Sequence, residues 1–349
     1  MIDKTKPIMV TGATGFVAGW IVKKLLEQGM TVHAPIRDAG NKAKTKYLDA
    51  IAAQTDGKLL YFEADLLKPN SYDKSAEGCE VIIHTASPFS MNVKNVKKQL
   101  LEPAVNGTEN VLNTANHTTT VKRVVLTSSC AAIFGDNIDL QGYPNQTLTE
   151  EQWNTSSSAK RNPYSFSKVL AEKKSWEMNR AQHQWQLVTI NPSLVLGPGI
   201  NPFATSDSYS IVKQLGNGIM KMGVPNFYIG AVDVRDVADA HIAAAFSEEA
   251  EGRNIVSAED ISILQLADYL RDNYGKQYPL PKRKLPKWVV WIMAPLSGLK
   301  RSFVKNNIGF PFKADNSKSK RSMGIAYIPI KTSINEMFQQ LVECKQFEK

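Results

Sequence analysis

The spacing of apolar positions changes repeatedly along the N-terminal half of the chain. A short β-branched and apolar run at 8–10 predicts a buried strand, and Trp20, Ile21, Leu25 and Leu26 follow at helical spacing. Similar runs predict strands at 31–36, 58–64, 80–84, 121–127 and 186–191. Helical spacing predicts helices over 103–115, from Pro163 through Trp176, and over 263–274. Strands and helices that alternate at this distance require parallel crossovers, so the predicted class is α/β with a doubly wound parallel sheet. Beyond Gly199 the pattern loosens into Pro, Asn and Ser, which suits a substrate lobe. The segment 228–239 reads as a return toward the sheet through a turn and a helix start. The expected organisation is a cofactor domain over 1–192 rejoined by 229–256, with a smaller, discontinuous lobe from 193–228 and 257–349.

Between the first strand and first helix lies Thr11-Gly12-Ala13-Thr14-Gly15-Phe16-Val17. Gly12 and Gly15 allow a tight turn, and free N–H groups with the helix dipole then face an anion. Strand, glycine turn and helix in this order make a phosphate site, and the expected fold is a Rossmann-type sheet. Ligands of such sheets bind beyond the carboxyl ends of the strands. Gly12, Arg37, Asp65, Thr85 and Ser129 all fall at predicted carboxyl ends, a coincidence more telling than any one motif. Arg37 stands where an NAD site usually carries an acid for the ribose 2′-hydroxyl, and Lys44 is near. A guanidinium there grips a 2′-phosphate, which predicts NADP(H) as cofactor. Asp65, followed by Leu66, offers an acceptor to the adenine amino group. The small residues Thr85-Ala86-Ser87 let a cofactor pass close to the backbone. His84 reads as a satisfied core histidine.

Tyr164 and Lys168 are four residues apart on a predicted helix and share one face. A nearby ammonium favours phenolate, so Lys168 is expected to lower the Tyr164 pKa. With Ser129 hydrogen-bonding the same substrate oxygen, the set can pass a proton to or from a carbonyl.

Thr11-Gly12-Ala13-Thr14-Gly15, Asp65-Leu66, Thr127-Ser128-Ser129 and Tyr164-x-x-x-Lys168 resemble the extended short-chain dehydrogenase/reductase family as far as about Ser257. Leu126 to Ser129, His84-Thr85-Ala86-Ser87-Pro88-Phe89 and Pro103-Ala104-Val105-Asn106-Gly107 look most like its dihydroflavonol 4-reductase group, yeast methylglyoxal/isovaleraldehyde reductases included. The resemblance implies Ser129, Tyr164 and Lys168 as catalytic set, with Lys168 also on the nicotinamide ribose. It implies cofactor contacts from Gly12, Thr14, Gly15, Phe16, Val17, Arg37, Lys44, Asp65, Leu66, Thr85, Ala86, Ser87 and Thr127. Pro192-Ser193-Leu194 would flank the carboxamide and Ser208 would touch the phosphates. Phe89, Ser129 and Phe134 would face substrate. Two positions depart from the pattern: Ala18 replaces the usual third glycine, and Phe134 stands where plant flavonoid reductases carry an asparagine, which argues against a flavonoid.

Composition narrows the field further. The 349 residues are those of a soluble globular protein, and the first apolar residues already belong to the first strand, so no signal peptide is expected. Cys79, Cys130 and Cys344 are odd in number and lack disulfide or metal spacing, which fits a reduced, cytoplasmic setting. Five scattered histidines predict no metal site. The net charge of +9 is concentrated in 282–321, where eleven Lys and Arg meet one acid, Asp315. Its apolar centre, Trp288 to Met293, reads either as a helix covering the pocket or as a contact for an anionic partner, a membrane surface or an acidic substrate group. No nucleic-acid motif accompanies the charge.

The expected partner is therefore a small carbonyl compound, reduced by NADPH to an alcohol, on a monomer or homodimer. A nucleotide-sugar epimerase or dehydratase on the same fold is the competing reading. Cys130-Ala131-Ala132-Ile133 lacks the acid pair of dehydratases, and Phe134-Gly135 lacks the tyrosine usual in epimerases. A cofactor-holding sensor would be expected to lose Tyr164 or Lys168, and a serine hydrolase would need G-x-S-x-G, which does not occur.

Overall fold

The computed structural model describes residues 2–87, 95–203 and 206–347. Strands β1 (Ile8–Thr11), β2 (Thr31–Ile36), β3 (Lys58–Glu63), β4 (Val81–His84), β5 (Arg123–Thr127) and β6 (Gln186–Pro192) alternate with helices α1 (Phe16–Glu27), α2 (Lys42–Ala52), α3 (Asp73–Ala76), α4 (Glu102–His117) and α5 (Pro163–Arg180). Then come β7 (Leu194–Leu196), α6 (Asp207–Gly216), β8 (Val224–Pro225), β9 (Tyr228–Asp233), α7 (Val234–Phe246), β10 (Gly252–Val256), β11 (Glu259–Ser262) and α8 (Ile263–Tyr274). The chain continues through β12 (Lys284–Leu285), α9 (Lys287–Met293), α10 (Arg301–Asn307), α11 (Ser317–Met323) and α12 (Ile330–Glu343).

The main sheet has seven strands in the order β10-β6-β5-β4-β1-β2-β3, and every neighbouring pair is parallel. It is doubly wound because apolar surface arrives from both sides. Ile21, Leu25 and Leu26 of α1 pack with Val237 and Ala240 of α7 over one face. Val111 and Leu112 of α4 pack with Met9, Ile82 and Val124 on the other. The inner strands β1 and β4 are buried at every position, whereas edge strand β3 exposes Lys58, Leu60 and Glu63. A second sheet, β11-β9-β7, and helices α6, α8 and α12 enclose a separate core around Phe338.

Three local details differ from the sequence reading. β5 starts at Arg123 rather than at residue 121, and the Arg123 guanidinium is held by the Ala244 carbonyl (3.1 Å) and by Gln186 (2.9 Å). Ala64 falls outside β3. Val232 and Asp233 lie in β9, paired with Val195 and Leu196, and only then does Asp233 cap α7 by accepting from the Arg235 N–H at 2.7 Å. The rejoining strand is β10, which pairs with β6.

Helix α5 is fixed to the sheet by a buried ion pair. Glu172, fully buried, accepts from Arg253 Nε of β10 at 2.6 Å and from Asn191 Nδ2 of β6 at 2.9 Å. The Ser128 hydroxyl donates to the same carboxylate. Arg253 also donates to the Glu150 carbonyl (2.9 Å) and stacks 3.9 Å from the Trp153 ring centroid. Both charges are therefore paired and hydrogen-bonded, the condition under which a buried ion pair is tolerated. Glu172→Ala, which strands the Arg253 charge, is expected to cost about 3–5 kcal/mol, read as a lower urea midpoint. Combining it with Arg253→Met should cost less than the two single changes added together. Simple additivity would show that the two charges do not depend on each other.

Candidate active site

The carboxyl ends of β1, β2, β4 and β5 and the start of α5 converge on one crevice. At its floor, Gly12 has φ +66°, and a Cβ there would stand 3.1 Å from Ala86 Cα and from Thr85 Oγ1. Both the backbone conformation and the close approach of the β4 end therefore demand glycine. The Gly15 N–H donates to the Gly12 carbonyl at 2.8 Å, closing the turn. Gly15 caps the start of α1 without a side chain, so the first-turn N–H groups of Val17 and Ala18 lack the usual side-chain acceptor. Thr14 is half-buried in the same turn.

Thr11 welds this turn to β4. Its Oγ1 accepts from the N–H groups of Thr85 (3.2 Å) and Ala86 (3.1 Å), and Thr85 Oγ1 donates to the Thr11 carbonyl at 2.6 Å. The Thr11 hydroxyl lies 2.8 Å from His84 Nδ1. Burial pushes His84 down to about 3, so it is a neutral acceptor and not an acid–base group. Sequence reasoning quoted Thr11 only inside the glycine motif, and its side-chain role has no local pattern to betray it.

Arg37 follows β2 directly and is exposed, as is Lys44 in the first turn of α2. Neither forms an ion pair among the described residues. The adjacent Asp38 is occupied in accepting from the Gly40 N–H at 3.0 Å. Asp65 turns one oxygen back to the Leu67 N–H at 2.8 Å. The Asp65-Leu66 turn is held by Asn110 of α4, whose Nδ2 donates to the carbonyls of Leu66 (3.1 Å) and Lys68 (2.9 Å). Gly107 leaves the room that Leu66 fills, since a Cβ there would meet Leu66 Cγ at 2.5 Å.

Ser129 follows β5 and caps the 3₁₀ turn Cys130–Ala132, its Oγ accepting from the Ala131 N–H at 3.1 Å. Its hydroxyl hydrogen is left free to donate outward. Tyr164 and Lys168 lie in the first turns of α5, which Pro163 opens after the left-handed Asn162, φ +52°. Lys168 Nζ is 6.0 Å from the Tyr164 ring centroid and donates to Ser87 Oγ at 3.4 Å. A narrow cleft beside them is lined by His84, Ala86, Ser87, Thr127, Lys168 and Glu172. A larger cleft lies elsewhere, at the amino end of β6 between Arg180, Gln186 and Glu248.

The electrostatics depart from expectation at Tyr164. Its side chain is 45 % exposed, yet the crevice wall desolvates the phenol and, with Asp207 nearby, pushes it up to about 12. Lys168 does not offset this at its observed distance. Lys168 itself is pushed down to about 8 by desolvation, which the Glu172 charge one turn below partly opposes.

The remaining candidates are distributed as follows. The Thr127 hydroxyl is 2.6 Å from His241 Nε2 of α7. His241 donates from Nδ1 to the Val237 carbonyl at 2.7 Å and is buried and neutral, pushed down to about 4. Pro192 ends β6, the Ser193 N–H donates to the Val256 carbonyl at 3.1 Å, and Leu194 begins β7. Ser208 is only 6 % exposed in the first turn of α6, whose Tyr209 packs edge-on against Phe16 at 5.4 Å. Phe134 packs 5.2 Å from Phe312, in a cluster with Tyr143 and Tyr228. Phe89 lies outside the described residues.

The residues at the turn suit a dinucleotide: a cradle that a single Cβ would fill, an uncapped helix start, and an unpaired cation beyond β2. Comparison with known proteins agrees. The profile of the 3-beta hydroxysteroid dehydrogenase/isomerase family matches residues 9–258. Cinnamoyl-CoA reductase CAD2 of Medicago truncatula is 33 % identical over 343 residues, covering 97 % of this chain and 96 % of its own. Dihydroflavonol 4-reductase of Gerbera hybrida is 32 % identical over 282 residues, covering 79 % and 75 %. The crystal structure of yeast methylglyoxal/isovaleraldehyde reductase Gre2 complexed with NADPH superimposes with a TM-score of 0.79 at 27 % identity, covering 98 % and 99 % of the two chains. The chain belongs to the 3-beta hydroxysteroid dehydrogenase/isomerase family, among the extended short-chain dehydrogenase/reductases that resemble dihydroflavonol 4-reductase.

Proposed function

We propose that the protein is an NADPH-dependent reductase that converts aldehydes or ketones to alcohols. One juxtaposition carries this reading: the uncapped glycine turn after β1, Arg37 after β2 and Ser129 after β5 stand at the same carboxyl edge of the parallel sheet, where Lys168 of α5 reaches Ser87 beyond β4. Reductases of related sequence, and a related structure holding NADPH, support it. A nucleotide-sugar epimerase of 15 % identity shares the fold alone. The cofactor domain is assigned to 1–192 with 229–256, and the substrate lobe to 193–228 and 257–349. The free thiols of Cys79 and Cys130 are buried, with Cys79 pushed up to about 12 by desolvation, which accords with a reducing cytoplasm.

NADPH, when bound, would supply the hydride. Backbone N–H groups at Gly12 to Val17 would hold its pyrophosphate, Arg37 and Lys44 its 2′-phosphate, and Asp65 its adenine. Lys168 would hold ribose hydroxyls, and Ser193 with its neighbours would line the carboxamide. Ser129 donates its free hydroxyl hydrogen to the substrate oxygen. Tyr164 gives that oxygen a proton. A phenol raised to about 12 stays protonated at neutral pH, the form that reduction needs. Phe134, backed by the buried Phe312, would offer an apolar side to the rest of the substrate.

Tyr164→Phe should lower carbonyl reduction by roughly 10²–10⁴-fold while NADPH binding, followed by fluorescence titration, stays near normal. Retention of half the parent rate would remove Tyr164 as the acid. Arg37→Ala deletes a charge-assisted contact worth about 1.5–3 kcal/mol, on the order of ten- to hundredfold in NADPH affinity, and should leave NADH unaffected. Equal losses for both cofactors would contradict the 2′-phosphate assignment. Lys168 is protonated below about 8 and neutral above it, so kcat for reduction should be flat near neutrality and fall above that value. The profile is measured by NADPH absorbance, and a rate that keeps rising through that pH would exclude a protonated Lys168 from the step.

A further inference from the structure

The basic segment 282–321 forms a surface that the proposed chemistry does not use. Helix α9 packs inward through Val290 and Ala294 against Val304 and Ile308. Lys287 also turns inward, its ammonium donating to the carbonyls of Lys305 (3.2 Å) and Ile308 (2.7 Å). Trp288, Trp291 and Ile292 lie on the other side of α9, Leu296 and Leu299 follow it in the turn toward α10, and the five are 67, 38, 60, 90 and 36 % exposed. The apolar face that the sequence reading offered as a cover for the pocket therefore points to solvent.

Basic residues border this stripe. Lys282, Arg283 and Lys284 precede it, Lys300 and Arg301 follow it, and all are exposed. The Arg301 guanidinium sits 5.8 Å from the Trp291 ring centroid. Among the described residues, none of the eleven Lys and Arg of 282–321 forms an ion pair within 4.0 Å. A large exposed apolar patch of this kind marks a contact surface. A second copy is a poor occupant, because a twofold contact repeats the same patch and would set one strongly cationic segment against another. Anionic headgroups complement the charge, and indole rings with long basic side chains suit the water–lipid boundary.

We propose that the outer face of α9, with the residues leading into α10, docks on an anionic lipid bilayer and lies flat on it. No helix among the described residues is long and apolar enough to cross a membrane. The contact is tied to the crevice through Asp136. This buried carboxylate accepts from Asn307 of α10 at 2.7 Å, from Asn162 before α5 at 3.1 Å, and from Arg161. Burial opposes its ionisation, but these donors hold it below the usual carboxylate range.

The test uses the full chain and sucrose-loaded vesicles of phosphatidylcholine, with and without phosphatidylserine, at low and high salt. The expected result is sedimentation with the phosphatidylserine vesicles alone, weakened by salt because exposed charges are screened. Trp288→Ser with Leu296→Ser, and separately Lys300→Glu with Arg301→Glu, should each lower the bound fraction on the order of tenfold or more. All four positions are exposed, and an unchanged circular dichroism melt certifies the fold of each variant. Absence of binding, or equal binding to both vesicle types, would overturn the proposal. So would a homodimer in sedimentation equilibrium that Trp288→Ser dissociates, which would give the face to a second copy. The readout is lipid binding and not turnover, so its failure leaves the reductase reading intact, and an inactive enzyme leaves this proposal intact.

Discussion

The pairing of Glu172 with Arg253 is the constraint on which the site geometry depends. Taking either charge out of water alone would cost several kcal/mol, so neither is tolerated without the other. Their contact forces α5, β6, β10 and the end of β5 into one register, because Asn191 and Ser128 share the same carboxylate. Tyr164 and Lys168 ride on the helix so fixed. The Glu172 charge also favours the ammonium of Lys168 against the desolvation that opposes it. One buried carboxylate thus sets both where the lysine stands and how readily it keeps its proton.

A second constraint operates at the opposite wall of the crevice. At Thr11 and Gly12 the ends of β1 and β4 come so close that an added methyl group would be tightly crowded, and three hydrogen bonds from Thr85 and Ala86 to Thr11 hold that approach. The polar capacity of these strand ends is spent on one another, and His84 is buried as a neutral member of the set. The groups left unspent are those that a ligand would use: the uncapped start of α1, the Arg37 guanidinium, the Ser129 hydroxyl hydrogen and the Tyr164 phenol. The site is defined by what the framework leaves unpaired.

Much of this was readable from the chain because it is local. Strand and helix periods, Gly12 and Gly15 in the first turn, Arg37 directly after β2, and Tyr164 one helical turn from Lys168 depend on neighbours within a few residues. Backbone geometry then dictates which face or strand end they occupy. The parallel order of the sheet followed from the same alternation.

Packing across long sequence separations decided the rest. A lone Glu172 on a helix and an Arg253 in an edge strand carry no spacing that links them, although they are 81 residues apart and in contact. The Thr127 hydroxyl, at the end of β5, is engaged by His241, 114 residues away, which no local pattern announces. The phenol of Tyr164 was expected to be lowered by Lys168, whereas the surrounding wall desolvates it and wins. Helical spacing shows that Trp288, Trp291 and Ile292 share a face, yet only the packing of Val290 and Ala294 on α10 determines that this face looks outward. Sequence determines which residues travel together on an element. What each side chain meets depends on desolvation and on partners that only the folded chain brings within hydrogen-bonding or van der Waals reach.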